Sequence, residues 1–178
     1  MRQTSDGRTP LSGAAGFRFA VVVSRFNEAI TTSLRDGARS ALSEAGVSSN
    51  DVQEFSVPGA YELPQVARAV AETGRFDAIV ALGCVIRGET PHFDYICAAV
   101  AHGLMAAAGE TGVPMTFGVL TTDTAAQAQA RAGSGPENKG FEAASAAIDM
   151  VRLFRRLRAD ARRPEPSTPS ISSNPSNR

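Results

Sequence analysis

Four apolar runs, each followed by helix-forming sequence, constrain the fold more than any other feature of this chain. The runs are "FRFAVVV" (17–23), "VQEFSV" (52–57), "FDAIVALGCVI" (76–86) and "PMTFGVLT" (114–121). Residues 28–46 are helix formers closed by Gly46, a residue suited to a helix C-terminus. Over 63–74, Leu63, Val66, Ala67 and Val70 share one face, and Gly74 stops the helix. Residues 93–112 carry Ile96, Val100 and Leu104 four apart. Two more helices are predicted over 124–133 and 140–158, the second with Ile148, Val151 and Phe154 on its apolar stripe. This alternation predicts right-handed crossovers and a three-layer α/β sandwich, a central four-stranded parallel sheet with helices on both faces. The near-continuous apolar runs at 17–23 and 76–86 suit strands buried on both sides. In such open sheets ligands bind beyond the carboxyl ends of the strands, so the residues just after each strand are the candidates for function.

Charge and cysteine content narrow the class. Lys plus Arg and Asp plus Glu each number 18, so the formal net charge is zero and gives no hint of a nucleic-acid or membrane partner. No apolar run approaches the ~20 residues that span a bilayer. The opening "MRQTSDGRTPLSG" has no apolar signal-peptide core, so a soluble cytoplasmic protein is expected. Cys84 and Cys97 form no C-x-x-C pair and have no histidine at zinc-ligand spacing; they read as buried, inert thiols, and no metal site is expected. Residues 1–16 are polar and read as a flexible N-terminal arm. Residues 17–158 read as one domain. Residues 159–178 end in "RPEPSTPSISSNPSNR", too poor in apolar side chains to offset ordering entropy, and read as a disordered tail.

The strand ends supply the chemistry. After the first strand, "SRFNE" holds Phe26, either a half-buried anchor or a wall on which a flat ring stacks. After the second, "PGAYELP" begins a helix with Tyr61 and Glu62; the carboxylate either favours the helix dipole or accepts hydrogen bonds from ligand hydroxyls. After the third comes "GCVIRGETPHFDY", in which Gly88 to Phe93 lead into a helix. Backbone N–H groups at a helix start bind anions, Thr90 adds a hydroxyl donor, and Glu89 can point to solvent. His92, beside that anion site, can move protons near neutral pH, whereas His102, within a helix, reads as structural. After the fourth, Arg131 and Lys139 frame the turn "SGPEN". They are either surface charges or a cationic pair for a phosphate. There is no Walker loop, G-x-G-x-x-G, nucleophile elbow or metal cluster. The residues alone support an α/β domain with a small anionic ligand and an acid–base histidine.

The ordered motifs "VVVSRFNE", "VPGAYELP", "ALGCVIRGETPHFDY", "FGVLTTDT" and "ENKGFEAA" resemble the 6,7-dimethyl-8-ribityllumazine synthase family over roughly residues 17–158. The resemblance implies a flavodoxin-like fold and a transferase of riboflavin biosynthesis. It implies condensation of 5-amino-6-(D-ribitylamino)uracil with 3,4-dihydroxy-2-butanone 4-phosphate, releasing phosphate and water, without a cofactor. By resemblance, Phe26 stacks on the pyrimidine. Ala60, Tyr61 and Glu62 hold the ribityl chain and ring edge, and Cys84, Val85 and Ile86 line the ring pocket through backbone atoms. Glu89 and Thr90 bind the substrate phosphate, Arg131 pairs with it, and His92 moves protons. Phe117 arrives from a neighbouring subunit, and Lys139 matches a family lysine near the ring-binding region.

The same resemblance implies a homo-oligomer, a pentamer. The short Arg131-to-Lys139 spacing is the form found in relatives that assemble twelve pentamers into an icosahedral 60-mer. Pro136 and Glu137 stand where many relatives carry small or basic residues, and Cys84 is uncommon in the family. Two other classes remain beside the enzyme: a scaffold of this fold that has lost catalysis, and a flavodoxin-like binding or signalling domain. Phe26, Glu62, His92 and Arg131 together favour the enzyme. The last reading would need a flavodoxin phosphate loop or an acidic phospho-acceptor cluster, and neither is seen.

Overall fold

The computed structural model describes residues 11–161. The stretches 1–10 and 162–178, which hold most of the arm and tail read from sequence, lie outside the described residues. The elements run β1 (Phe19–Ser24), α1 (Glu28–Glu44), β2 (Val52–Val57), α2 (Leu63–Glu72), β3 (Ala78–Ile86), α3 (His92–Thr111), β4 (Met115–Thr122), α4 (Ala125–Arg131) and α5 (Lys139–Asp160). Every strand and helix expected from periodicity is present. Gly46 and Gly74 follow α1 and α2 with φ of +86° and +66°, the left-handed turn that glycine enters without a Cβ penalty.

The four strands pair in the order β2-β1-β3-β4, all parallel. Alternate side chains of each strand feed two separate cores. Phe19, Val21, Val80 and Leu82 pack against α1 and α5 residues such as Leu34, Leu42, Ala144 and Ile148. Ala20, Val22, Ile79 and Ala81 pack against Leu63, Ala67, Val100 and Leu104 of α2 and α3. The three-layer sandwich follows from these two buried faces. Strands β1 and β3 are shorter than their apolar runs. At their N-terminal ends, Arg18 N–H donates to Asp77 Oδ2 at 2.8 Å and Asp77 N–H donates to Arg18 O at 2.7 Å, outside the regular ladder.

Residues 11–16 lie along the α1/α5 face. Ala14 is fully buried and donates to Ala45 O at 3.0 Å, while Arg152 Nη2 donates to the carbonyls of Leu11 and Ser12 at 2.9 and 2.7 Å. Helix α5 packs closely on α1. A Cβ on Gly140 would land on the backbone carbonyl of Leu34, so only glycine fits where the helices cross.

Strand order decides where a ligand can enter. From β1 the chain turns one way to β2, and from β3 it turns the other way to β4. The carboxyl ends of β1 and β3 therefore form a topological switch point, where helices leave in opposite directions and a crevice opens.

Candidate active site

A cavity of about 390 Å³ occupies that crevice. Its lining includes Phe26, Ala60, Tyr61, Cys84, Val85, Ile86, Thr90 and His92, residues from three different strand ends. The larger cavity of about 590 Å³, between α1 and β2, contains none of the residues singled out from sequence. Phe26 is 70 % exposed and Tyr61 61 % exposed, so their rings border the crevice instead of filling a core. Phe26 is therefore not a half-buried anchor.

Phe26 is held by its neighbours. Its N–H donates to Pro58 O at 3.2 Å and the Arg25 N–H to Val57 O at 2.8 Å. The next residue, Asn27, has φ +59°, the left-handed region that asparagine tolerates better than most side chains. Asn27 Nδ2 donates to Cys84 O at 3.0 Å and so ties the turn after β1 to the end of β3. Sequence reading did not single out Asn27; the turn between strand and helix was its only signal.

The end of β3 offers backbone. Its pairing with β1 stops at Val23 and Leu82, while its pairing with β4 continues to Ile86 and Thr122. Residues 83–86 therefore have an edge with no strand partner on the crevice side. The Cys84 side chain belongs to the α1/α5 core and is 2 % exposed, so its backbone is what the crevice meets. Burial pushes the Cys84 thiol up to about 11, only partly offset by the contact with Asn27, so it is not a thiolate nucleophile at neutral pH.

Glu62 takes the Gly59 N–H through Oε2 at 2.8 Å, closing the turn that opens α2. Its Oε1 has no hydrogen-bond partner among the described residues, so one oxygen is structural and one is available. His92 is the first residue of α3, is exposed, and its imidazole has no hydrogen-bond or ion-pair partner among the described residues. Glu89 is exposed in the turn before it and does not line the cavity, whereas Thr90 does.

Phe117, Arg131 and Lys139 are elsewhere. They line a second cavity of about 380 Å³ along β4 and α5, which shares no residue with the first. β4 is an edge strand, and Phe117 is 45 % exposed on it. Arg131 uses one guanidinium N–H, from Nη1 to Gln127 O at 2.9 Å, and the other donors of its fork have no partner among the described residues. Lys139 Nζ is paired with Glu142 Oε2 at 2.7 Å. Asn138 fixes the turn between them, with its buried side chain capping α5. Among the described residues no cluster of His, Cys, Asp and Glu is gathered as could hold a metal ion, and no helix is long and apolar enough to cross a membrane.

Comparison with known proteins matches these features to one group. The profile of the 6,7-dimethyl-8-ribityllumazine synthases matches residues 16–155. A 6,7-dimethyl-8-ribityllumazine synthase of Syntrophus aciditrophicus (strain SB) is 51 % identical over 144 residues, 81 % of this chain and 94 % of that protein. The matched span includes all four strands, both cavities and every motif at the strand ends, and on that footing the chain belongs to the 6,7-dimethyl-8-ribityllumazine synthase family.

Proposed function

We propose that the crevice at the β1/β3 switch point is one half of the site at which this enzyme condenses 5-amino-6-(D-ribitylamino)uracil with 3,4-dihydroxy-2-butanone 4-phosphate. The observation that carries this reading is a mismatch of charge. The crevice has an aromatic wall, a backbone edge and an imidazole, but among the described residues no Lys or Arg lines it. Arg87, which stands in sequence between the lining residues Ile86 and Gly88, is already paired with two carboxylates, those of Asp94 and Asp123. A phosphate bound beside His92 needs neutralising charge. Arg131 and Lys139, with Phe117, stand in the second cavity and can supply it from a neighbouring subunit.

In this arrangement Phe26 stacks on the pyrimidine, and the crevice-side edge of Cys84, Val85 and Ile86, which has no strand partner beyond Leu82 and is tied to Asn27 at Cys84 O, hydrogen-bonds the ring. Ala60, Tyr61 and the free oxygen of Glu62 hold the ribityl chain. Thr90 and the N–H groups opening α3 receive the phosphate, with Glu89 directed to solvent and the neighbour's Arg131 forking onto it. The 5-amino group attacks the ketone and water leaves, giving an imine. Loss of phosphate follows, the resulting enol becomes a ketone, and the ribitylamino nitrogen closes on it with loss of a second water. Each step moves a proton, which His92 can take and return. Holding the two substrates in register supplies a large part of the acceleration.

A contact in which each subunit gives Phe117 to one neighbour and receives it from another is heterologous and closes into a ring. By resemblance the ring is a pentamer, and the short Arg131-to-Lys139 turn groups the chain with relatives whose pentamers form a 60-mer. The cytoplasm is the compartment that fits this reading. Incubation with both substrates should produce the absorbance and fluorescence of the lumazine with one phosphate released per product. Absence of product from correctly assembled protein would refute the assignment.

A further inference from the structure

We propose that Arg87 is a positioning residue for this reaction, closing the 87–94 segment into a clamp that fixes where His92 stands. The inference rests on the reading of His92 as the proton-moving group. Arg87 is the first residue beyond β3, and its N–H donates to Thr122 O at 2.8 Å, extending the register with β4. Its Nη1 and Nη2 donate to Asp94 Oδ2 and Oδ1 at 3.2 and 3.1 Å, a two-pronged grip on the first turn of α3. Its Nε donates to Asp123 Oδ1 at 2.9 Å, in the turn after β4. Asp123 is itself held, its N–H donating to Gln127 Oε1 at 2.9 Å. The guanidinium carbon lies 4.1 Å from the centre of the Phe93 ring, so the plane is fixed from a third direction.

Between the ends of this clamp lie Gly88, Glu89, Thr90, Pro91, His92 and Phe93. The described ties within the segment are Asp94 N–H and Tyr95 N–H donating to Pro91 O at 3.0 and 3.4 Å, both at its C-terminal end. The side chains of Glu89, Thr90 and His92 have no hydrogen-bond partner among the described residues. Val100 and Leu104 pack α3 as a whole on the sheet, and the clamp adds a polar tie from the first turn of α3, which carries His92, to the ends of β3 and β4. Arg87 does not serve as a phosphate ligand itself. Three of its five N–H groups are directed at two carboxylates, so the cluster is net negative.

Magnitudes separate positioning from structure. The side chains of Arg87, Asp94 and Asp123 are 43, 60 and 67 % exposed, and exposed ion pairs stabilise a fold little. A small displacement of a reacting group, by contrast, costs up to about 10²-fold in rate. Lysine preserves the charge of Arg87 but loses the planar fork and the stack on Phe93.

The test measures kcat and KM for both substrates in Arg87→Lys, His92→Ala and the double variant, with thermal midpoints alongside. Arg87→Lys is expected to lower kcat about 10- to 100-fold, with either KM changed by less than about twofold and the midpoint unchanged. In the His92→Ala background it is expected to lower kcat by less than about twofold, because the group it positions is gone. Asp123→Ala removes one arm and should show a smaller fall in kcat with the same split, which keeps the test open if the lysine variant fails to fold. An equal fall in both backgrounds, or a rise in KM for the butanone phosphate in place of the fall in kcat, overturns the inference alone. Wild-type turnover in His92→Ala overturns the reading of His92 and this inference with it.

Discussion

Asn138 shows how much of the second cavity depends on one buried amide. It is 2 % exposed and makes five hydrogen-bond contacts. Oδ1 accepts from Gly140 N–H at 2.8 Å and Phe141 N–H at 3.2 Å, the orphan donors at the start of α5. Nδ2 donates towards the carbonyls of Ser33, Ala132 and Gly133 at 3.0, 3.1 and 2.8 Å. It has only two hydrogens, so one is shared. Asn138→Ala removes a cap worth about 1 kcal/mol and two amide bonds worth about 1 kcal/mol each. The sum is about 3 kcal/mol, a large share of the roughly 5–15 kcal/mol that holds a domain folded. Urea unfolding at one fixed protein concentration reads it, since assembly couples stability to concentration. Asn138→Asp keeps the cap but turns a carboxylate towards three carbonyls. It should also be destabilised, with the deficit relative to the parent narrowing as pH falls and the protonated acid regains a donor. A loss under about 1 kcal/mol in Asn138→Ala would refute the hydrogen-bond argument.

Three further outcomes are expected. His92→Ala should lower kcat by about 10- to 10⁴-fold with assembly intact, and wild-type turnover would remove His92 from the mechanism. Arg131→Ala should chiefly raise KM for the butanone phosphate, with Arg131→Lys restoring only part of the loss because the two-donor fork is gone; equal inhibition of variant and parent by inorganic phosphate would contradict this. Cys84 ionises near 9 when unfolded and near 11 when folded, so folding holds its proton more tightly. Its share of stability is full below pH about 9 and is lost as pH rises through about 11. Cys84→Ala should flatten that alkaline decline in a pH series of unfolding curves, and an unchanged decline would assign it to other groups.

The fold was legible because apolar runs buried on both faces leave an unmistakable pattern. "FDAIVALGCVI" becomes β3, with Ala78 to Leu82 fully buried between two cores. The crevice was legible for the same reason. Once strands are located, Phe26, Tyr61 and His92 fall at their carboxyl ends. That Arg131 and Lys139 line a separate cavity was not legible residue by residue. Arg131 and Lys139 follow β4 just as His92 follows β3, and only the strand order shows that β4 lies at an edge with a separate cavity. The anchors were hidden because their partners are remote in sequence. Asn27 meets Cys84 57 positions away, Arg87 meets Asp123 36 away, and Asn138 reaches Ser33 105 away. An exposed arginine and two asparagines in turns carry no periodic signal that could foretell such pairings.

In the proposed site, His92 comes from one subunit and Arg131 from the next. The measurement that tests it most directly is activity in mixed rings. His92→Ala and Arg131→Ala subunits are unfolded together, reassembled in equal amounts and assayed at a butanone phosphate concentration well below the raised KM of Arg131→Ala, where each has little activity alone. An interface is intact when an Arg131→Ala subunit supplies His92 and a His92→Ala neighbour supplies Arg131. Random assembly makes about one interface in four of that kind. Recovery towards about a quarter of the wild-type rate is expected. If both residues act within one subunit, every site in the mixture lacks one of them, and activity no higher than the average of the two parents would contradict the shared site.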